Sequence, residues 1–396
     1  MNVLSLFSGC GGDTLGMKQA GFNVVAYSEF KAPAIESHQA NFPDSVLIKD
    51  KAGKTTDITK IEDGQFEPYK GVKLVFAGFP CQGFSKAGKK SVTDPRNQMF
   101  RHFVRVVKIT APPFFIGENV TGLTSMKSGP NENDPLMLDL IRTAFAEIGY
   151  GLTYKILETL AFGVPQKRKR CLLVGWRKAT VPDFNEAAFW TSVVAAGAAK
   201  TLPVMRTFIK TTLEGAYKVP EASVPENFAT YALPIAEDQE PTGTPHPYLV
   251  LKTRLNLLSC SKRVSPIHSE VIDVDSPSKT IICTYDHQPR LYVGYRKPSG
   301  ACYVRTLLSD ELKQIQGFPA DYKVLGNLKD QVVQIGNAVP PPLIESIAST
   351  LKNMIVPPTG PMAVPPTGPV AAPMATPIAV PPVKRVIKVK KPATPV

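Results

Sequence analysis

The feature that most constrains the fold of this 396-residue chain is the alternation, over residues 1–178, of short apolar runs with amphipathic segments. The apolar runs have the length of strands, and the segments between them repeat apolar residues at helical spacing. Strands that alternate with helices predict βαβ units and a mainly parallel sheet, which is an α/β fold. The predicted strands are 3–7, 24–27, 74–77, 114–116 and 171–175, and the predicted helices are 13–20, 33–41 and 136–148.

A different pattern follows residue 178. Pro and Thr are frequent from 182 to 291, the apolar runs are short, and no helical period is sustained after Ala199. This composition predicts a smaller, irregular β-rich module. Helical periodicity returns at 309–317, where Ser309 is expected to be the N-cap, and at 342–354, which begins at prolines.

Residues 356–396 form a third region, which is rich in proline and has no acidic residue. The hexapeptide VPPTGP occurs at 356–361 and again at 364–369. Such a composition cannot bury a core, so a disordered, Pro-rich basic tail is predicted. Its cationic residues are Lys384, Arg385, Lys388, Lys390 and Lys391. They are expected to bind phosphates or to act as a nuclear-import signal, and the plainer alternative is a solubilising tail.

The charge and the cysteine pattern limit the possible partners. A formal net charge of +13 favours a polyanion, with nucleic acid first and an anionic membrane second. Neither a signal peptide nor an apolar run long enough to span a membrane is expected. The 6 cysteines and 5 histidines have neither disulfide-framework nor metal-site spacing, so we expect a reducing intracellular compartment and no metal.

Three glycines follow the first predicted strand, at Gly9, Gly11 and Gly12. Glycines there let the backbone turn tightly and approach a ligand, but the G-x-G-G spacing differs from that of dinucleotide-binding proteins. Glu29 lies just beyond the second strand, where a carboxylate can hold two ribose hydroxyls. Asp57 could follow a third strand and accept a hydrogen bond from an adenine amino group. Together these residues favour an adenosine-containing ligand.

A cysteine follows another predicted strand. The segment 78–82 (GFPCQ) comes directly after the apolar run 74–77. Ligands bind at the carboxyl ends of strands in open α/β sheets, so Cys81, held by the stiff Pro80, is a candidate nucleophile. The plainer alternative is that Cys81 is a small buried hydrophobic residue.

These motifs together resemble a known family, the DNA cytosine-5 methyltransferases. The order and spacing agree for LFSGCGG (6–12), GFPCQ (78–82), ENV (118–120), QKRKR (166–170), RTL (305–307), QGFP (316–319) and QIGNAVP (334–340). The resemblance covers 1–178 and 276–355. It implies a Rossmann-like methyltransferase domain that binds S-adenosylmethionine, over 1–178 and completed by 335–355. It also implies a target-recognition domain with a return segment over 179–334.

The resemblance and the chemistry of cytosine together assign the catalytic residues. Carbon 5 of cytosine becomes nucleophilic only after a thiolate adds to carbon 6, and Cys81 is the candidate thiol. Glu118 can share a proton with ring nitrogen 3 if burial keeps it protonated. The resemblance places Arg168 and Arg170 on the cytosine carbonyl or a neighbouring phosphate, and their i, i+2 spacing predicts that they point to one side. The plainer alternative is a charged strand edge.

The resemblance also implies binding residues. For the cofactor they are Phe7, Gly9, Gly11, Gly12, Glu29, Phe30, Asp57, Ile58, Pro80, Asn337 and Val339. Of these, Phe7 is expected to lie against adenine. For the substrate they are Gln82, Ser85, Lys89, Arg96 and Asn119. The segment 85–97 is expected to close over a base rotated out of the duplex, and Asn119 to orient a loop.

The expected function is therefore transfer of a methyl group from S-adenosylmethionine to carbon 5 of a flipped cytosine in a specific DNA sequence. The expected partner is double-stranded DNA, and the expected assembly is a monomer. Whether a cognate restriction endonuclease accompanies the protein stays open at this point. The expected compartment is the cytoplasm of a prokaryote or, for a viral protein, the nucleus or cytoplasm of the infected host. Two alternatives stay open: a tRNA cytosine-5 methyltransferase, and a catalytically silent DNA-binding relative.

Overall fold

A seven-stranded β-sheet lies at the centre of the N-terminal half in the computed structural model of the chain. The structure describes residues 1–80, 98–129, 131–221, 224, 228–245, 252–254, 257–259, 270–287 and 289–355. The first eight strands are β1 (Asn2–Leu6), β2 (Asn23–Ser28), β3 (Val46–Leu47), β4 (Leu74–Ala77), β5 (Phe114–Asn119), β6 (Tyr150–Glu158), β7 (Gln166–Lys167) and β8 (Lys169–Arg177). All except β7 form this sheet, in the order β3-β2-β1-β4-β5-β8-β6. Strand β8 runs in the opposite direction to the other six strands of this sheet, so the predicted mixed, mainly parallel sheet is confirmed.

Helices cover both faces of this sheet. They are α1 (Gly12–Gln19), α2 (Ala32–Asn41), α3 (Phe100–Thr110), α4 (Met137–Glu147) and α5 (Glu186–Ala198). Alternate strand residues enter opposite cores: Val75 packs in a cluster with Phe103 of α3, whereas Phe76 packs in a cluster with Trp190 of α5. This alternation follows from the period of two in a strand and produces a three-layer α/β/α arrangement.

Helix α3 is not among the predicted helices, although its sequence carries the expected signal. Phe100, Phe103 and Val107 recur at i, i+3 and i+7 and are all buried on one face of the helix. The predicted helices at 13–20, 33–41 and 136–148 agree with α1, α2 and α4 to within one residue at each end.

The second half is rich in short strands, as predicted. These are β9 (Tyr217–Val219), β10 (Leu233–Pro234), β11 (Lys252–Arg254), β12 (Leu257–Ser259), β13 (Glu270–Val271), β14 (Ser278–Lys279), β15 (Leu291–Arg296) and β16 (Cys302–Thr306). A sheet of order β10-β15-β16-β9, with β13 also on β15, carries its own hydrophobic cluster. Strand β14 pairs with β7, so the return segment lies directly beside the QKRKR motif.

Four further helices complete the described part: α6 (Phe228–Tyr231), α7 (Ser309–Ile315), α8 (Leu328–Asn337) and α9 (Pro341–Ile355). Ser309 is the first helical residue of α7 and not the N-cap, because Leu308 takes that place and its N–H donates to Glu311 Oε2 at 2.8 Å. Residues Met1–Val356 form one compact unit by their contacts. The predicted division near 178 stays a prediction, and the predicted tail lies outside the described residues.

Helix α9 packs on α1, so the end of the described chain returns to its beginning. The contact is close: a Cβ placed on Gly16 would lie 2.5 Å from the carbonyl oxygen of Pro341 and 2.8 Å from Ile344 Cβ. Glycine is therefore the residue that lets the two helices approach at this point. The docking brings the QIGNAVP segment next to the glycine turn.

Candidate active site

The ends of three adjacent strands meet at one level of the central sheet. Leu6 of β1 pairs with Ala77 of β4, and Ala77 pairs with Gly117 of β5. The residues that follow them are Phe7, Gly78 and Glu118. Since parallel neighbouring strands are about 5 Å apart, these three positions are successive neighbours along the carboxyl edge of the sheet. The turn, the GFPCQ segment and the ENV motif therefore begin at the same place.

The glycine turn has the conformation that its sequence predicts. Gly9 has φ 56° and Gly11 has φ 90°, in the left-handed region that glycine tolerates, and Phe7 also has a positive φ of 56°. Two backbone N–H groups hold this shape: that of Phe7 donates to Ser28 Oγ at 3.1 Å, and that of Ser8 donates to the Ser28 carbonyl at 3.0 Å. A Cβ on Gly9 would meet nothing within 4 Å, so the turn has open space on its outer side.

Glu29 lies beside this turn. Its Oε2 accepts from the Gly9 N–H at 2.9 Å, and its Oε1 accepts from the N–H groups of Phe30 and Lys31, each at 2.9 Å. These three bonds fix a carboxylate that is only 9 % exposed, whereas the neighbouring Phe30 ring is 64 % exposed. A fixed carboxylate, an exposed aromatic ring and an open glycine fit the ribose and adenine of S-adenosylmethionine.

Asp57 and Ile58 lie in a turn that packs against α3. Asp57 Oδ1 accepts from both the N–H and the hydroxyl of Thr59, at 3.0 and 2.8 Å. The Ile58 side chain is buried, and its carbonyl accepts from Arg105 Nη2 at 2.8 Å. This geometry anchors the turn, and contact of Asp57 with adenine stays a prediction.

The C-terminal motif reaches the same turn. A Cβ on Gly12 would collide with the Val339 carbonyl, and a Cβ on Gly78 would lie 3.9 Å from Val339 Cγ2. Val339 is therefore in contact range of both the glycine turn and the end of β4. Asn337 is exposed at the end of α8.

Glu118 and Arg170 form an ion pair at the end of β5. Arg170 Nε lies 2.7 Å from Glu118 Oε1, and both side chains are largely buried, at 14 and 11 % exposure. Burial raises the pKa of Glu118, and the guanidinium groups of Arg170 and Arg168 oppose that rise. Next in sequence, Asn119 donates from Nδ2 to the Phe79 carbonyl at 3.1 Å, so it ties β5 to the residue before Pro80.

Arg168 has different hydrogen-bond partners from Arg170. Its side chain is 1 % exposed and donates to the carbonyls of Ile281, Gly336 and Ala338, at 3.1, 2.9 and 3.4 Å. Residue 168 interrupts the extended segment, because β7 ends at Lys167 and β8 begins at Lys169. The expectation that Arg168 and Arg170 point to one side stays a prediction. Arg168 thus joins the QKRKR segment to the return segment and the QIGNAVP motif.

Two glutamines, for which no role was predicted from the sequence, complete this junction. Gln166 Nε2 donates to Gln316 Oε1 at 2.6 Å, and Gln166 Oε1 accepts from the Ile281 N–H at 3.0 Å. Gln316 in turn donates to the Ala338 carbonyl at 2.6 Å. Both glutamines are fully buried. A glutamine inside a charged motif gives no sequence signal of burial, so only the structure identifies this network.

Several predicted residues fall outside the described part of the chain. These are Cys81, Gln82, Ser85, Lys89 and Arg96. Within the described ranges, no group of three or more His, Cys, Asp or Glu residues could hold a metal ion. The helices of the described residues also include none that is long and apolar enough to cross a membrane.

The chain is similar in sequence to known DNA methyltransferases. Residues 1–353 match the model of the C-5 cytosine-specific DNA methylase family. The chain is 30 % identical over 363 residues to the type II methyltransferase M1.HphI of Haemophilus parahaemolyticus, covering 89 % of this chain and 87 % of the relative. It is 29 % identical over 379 residues to the type II methyltransferase M.DdeI of Desulfomicrobium norvegicum, covering 89 and 88 %.

Solved structures agree in fold. The S. pombe Dnmt2 methyltransferase aligns with a TM-score of 0.59 at 17 % identity, over 90 % of this chain and 99 % of that one. The Entamoeba histolytica methyltransferase EhMeth aligns with a TM-score of 0.57 at 15 % identity, over 90 and 98 %.

The central, mainly parallel α/β sheet has the fold of these methyltransferases. The chain belongs to the C-5 cytosine-specific DNA methylase family. The predicted family, fold class and enzyme class are thereby confirmed: this is a DNA cytosine-5 methyltransferase dependent on S-adenosylmethionine.

Proposed function

We propose that the chain methylates carbon 5 of a cytosine rotated out of duplex DNA, through a covalent bond between Cys81 and carbon 6. The observation that carries this proposal is the register that sets Phe7, Gly78 and Glu118 side by side. Cys81 is three residues beyond Gly78 in the sequence, which supports a thiol near both the glycine turn and the buried carboxyl.

Three residues have proposed roles in the methyl-transfer reaction. The Cys81 thiolate adds to carbon 6 while Glu118, whose pKa is raised by burial, donates a proton to ring nitrogen 3, which makes carbon 5 nucleophilic. Arg170 holds the Glu118 carboxyl and stabilises charge on the cytosine carbonyl. After carbon 5 is methylated, its proton passes to water, the C5–H electron pair re-forms the C5=C6 bond, and Cys81 leaves as a thiolate. Nitrogen 3 then returns its proton to the Glu118 carboxylate.

The cofactor site consists of residues around the turn. When bound, S-adenosylmethionine supplies an electrophilic methyl group. We assign its binding to Phe7, Gly9, Gly11, Gly12, Glu29, Phe30, Asp57, Ile58, Pro80, Asn337 and Val339. Glu29 would hold the ribose hydroxyls, and the exposed Phe30 ring would stack on adenine. The hydrogen bonds that already fix Glu29 support this assignment, because a fixed carboxylate loses little entropy on binding.

Arg168 acts, in this proposal, as a positioning residue rather than on the base. Its three carbonyl partners support this role, because the guanidinium is buried and both of its terminal nitrogens already donate to the backbone. Asn119 is likewise a positioning residue, since its amide holds the Phe79 carbonyl. Ser85, Lys89 and Arg96 are proposed to contact DNA from a loop over 85–97 that closes over the base, and Gln82 to contact DNA from the segment before that loop.

The proposed substrate is double-stranded DNA with a defined recognition sequence read by residues 179–334. The similarity to type II methyltransferases supports a role in restriction–modification, with a cognate endonuclease as the proposed partner. A formal net charge of +13 supports binding to a polyanion. We further propose a monomer that acts inside the cell.

Trapping on modified DNA tests the covalent step. Duplex DNA with 5-fluorocytosine at the target should capture the wild-type protein as a complex stable to denaturation, because fluorine at carbon 5 cannot leave as a proton does. Cys81→Ser should form no complex, yet still bind S-adenosylhomocysteine. Cys283→Ser is the matched control, because it removes a free, partly exposed thiol and should trap normally. Trapping by Cys81→Ser at the wild-type level would overturn the assignment.

A second assay tests whether the substrate is duplex DNA or tRNA. Methyl transfer from tritiated cofactor should occur on duplex DNA that contains the target and not on tRNA. Incorporation into tRNA alone would favour a tRNA methyltransferase, and no incorporation into either would favour a silent DNA-binding relative. Bisulfite sequencing of DNA from an expressing host would then identify the target sequence.

A further inference from the structure

A buried carboxylate lies directly beneath the glycine turn and belongs to none of the roles assigned above. Asp13, in the first turn of α1, is 2 % exposed. Its Oδ2 accepts from the Ser5 hydroxyl, and its Oδ1 accepts from the Ser8 hydroxyl at 3.2 Å. No cation contributes to its environment among the described residues. An unpaired buried carboxylate is costly, so its retention needs a reason.

The bond to Ser8 connects Asp13 to the cofactor turn. Ser8 lies between Phe7 and Gly9, both of which have a positive φ of 56°. A conformation of this kind is strained at a phenylalanine and persists only where its surroundings hold it. Within that strained tripeptide the Ser8 side chain is buried, and its hydroxyl donates to Asp13.

The network continues away from the turn through neutral groups. Ser8 Oγ lies 3.1 Å from Thr14 Oγ1, and Thr14 Oγ1 lies 3.1 Å from His38 Nε2. The His38 ring stacks on Tyr27 with 3.6 Å between ring centroids. Burial lowers the pKa of His38 to about 3, so this imidazole is uncharged at neutral pH and cannot neutralise Asp13.

Asp13 is the group of this cluster that titrates near neutrality. Burial raises the pKa of Asp13 to about 7, against the opposing hydroxyls of Ser5 and Ser8. The other titratable groups around it are Cys10 on the turn, Tyr27 on β2, Glu29 beyond β2, His38 on α2 and Tyr322 after α7. Burial raises the pKa of Cys10 and of Tyr27 to about 12 and that of Tyr322 well above its ordinary value, so these three groups stay neutral.

We propose that Asp13 is a positioning residue for the cofactor: in its ionised form it accepts the Ser8 hydroxyl and thereby holds the Phe7–Gly9 turn in its binding shape. This inference rests on the proposed assignment of that turn to the adenosine part of the cofactor. Protonation of Asp13 removes one of its acceptor sites, because the carboxyl oxygen that carries the proton becomes a donor. The affinity of the cofactor site should therefore depend on pH through Asp13.

Calorimetric titration with S-adenosylhomocysteine tests this directly. The wild-type dissociation constant should rise about fivefold from pH 8 to pH 6, because the ionised fraction of a group with a pKa near 7 falls from about nine-tenths to about one-tenth and the neutral form binds about tenfold more weakly. Asp13→Asn should bind about tenfold more weakly than wild type at pH 8, the loss expected for a hydrogen bond to a charged group, and with no pH dependence. The value of kcat at saturating cofactor should change less than twofold.

Two further variants separate positioning from a general loss of structure. Ser8→Ala should weaken binding as Asp13→Asn does, and the double variant should be no weaker than either single one, because both remove the same hydrogen bond to a charged acceptor. Thr110→Val removes a buried hydroxyl on α3 that donates to the Val106 carbonyl, and it should leave the dissociation constant unchanged.

The possible results are distinct. An Asp13→Asn protein with wild-type affinity and pH profile would overturn the inference and leave the proposed function intact. If that variant does not fold, a wild-type affinity that is constant from pH 6 to 8 overturns it equally. A wild-type protein that binds no S-adenosylhomocysteine at any pH would instead contradict the proposed cofactor site.

Discussion

Arg170 Nε lies 2.7 Å from Glu118 Oε1, across two antiparallel strands whose paired residues at this level are Glu118 and Leu172. The ion pair therefore links β8 to the carboxyl end of β5, and it is the main cause that lowers the pKa of Glu118 against its burial. In the proposed mechanism the Glu118 carboxyl must be protonated to act, yet it is held by a cation that also stabilises its ionised form. We expect the balance between these effects to set the pH range of activity.

Replacement of Arg170 should shift that balance. In Arg170→Gln, removal of the guanidinium raises the pKa of Glu118 further, so the loss of activity at alkaline pH should move to higher pH. The value of kcat should fall about 100-fold, as for loss of one donor to a developing charge. A pH profile of single-turnover methyl transfer measures both effects. Arg177→Gln, at the other end of β8, is the control, and an unmoved alkaline limb in Arg170→Gln would contradict this role of the ion pair.

Arg168→Met should destabilise the protein. The variant leaves the carbonyls of Ile281, Gly336 and Ala338 without their buried donor, at a cost of about 3 kcal/mol in the free energy of unfolding. Urea denaturation measures this value. Arg142→Met is the control: its ion pair with Asp139 is exposed and its loss should cost less than about 0.5 kcal/mol. Equal effects of the two variants would disprove the anchoring role of Arg168.

Phe30→Ala should weaken cofactor binding without loss of stability. The ring is 64 % exposed, so its removal creates no cavity and the melting temperature should stay within about 2 °C of wild type. Loss of stacking on adenine should raise the dissociation constant of S-adenosylhomocysteine about tenfold. Val46→Ala, which truncates a side chain that is 56 % exposed, should leave both values unchanged. A Phe30→Ala protein of wild-type affinity would remove Phe30 from the site.

Gly16→Ala should destabilise the protein by disturbing the contact between α1 and α9. The added methyl group would be 2.5 Å from the Pro341 carbonyl oxygen, and overpacking of this kind costs about 2 kcal/mol, more than the gain in helix propensity. Chemical denaturation tests the prediction. Gly64→Ala, whose methyl group would meet nothing within 4 Å, is the matched control and should be neutral. If both variants are equally stable, the close helix contact does not contribute to stability.

The pH dependence of stability should reveal Asp13. Its pKa in the folded protein, about 7, is above the ordinary value of 3.8, so the folded state binds more protons between these values. Its contribution to the free energy of unfolding is therefore complete below about pH 3.8 and is lost as the pH rises to about 7. Asp13→Asn should show a smaller fall in stability from pH 5 to pH 8 than wild type. An identical fall in the two proteins would place the pKa of Asp13 outside this window.

The sequence alone determined the class of fold and the order of the motifs. Strand and helix periods are local properties, so β4, α1 and α4 could be predicted from short windows, and glycines followed by an acid after the second strand indicated an adenosine site. The amphipathic helix α3 was equally readable, since Phe100, Phe103 and Val107 lie on one face.

Only the tertiary structure decided what each polar side chain contacts. Arg168 and Arg170 differ by two positions in one motif, yet one joins distant segments through three carbonyls and the other holds Glu118. Nothing local distinguishes them, because the interruption between β7 and β8 depends on the pairing of β7 with β14, more than 100 residues later. The sequence likewise places Asp13 in a first helical turn, where acidic residues are usually exposed. In the folded chain Asp13 is buried and accepts hydrogen bonds from the hydroxyls of Ser5 and Ser8. Burial and long-range contacts belong to the folded chain, and they set the charge and the role of these residues.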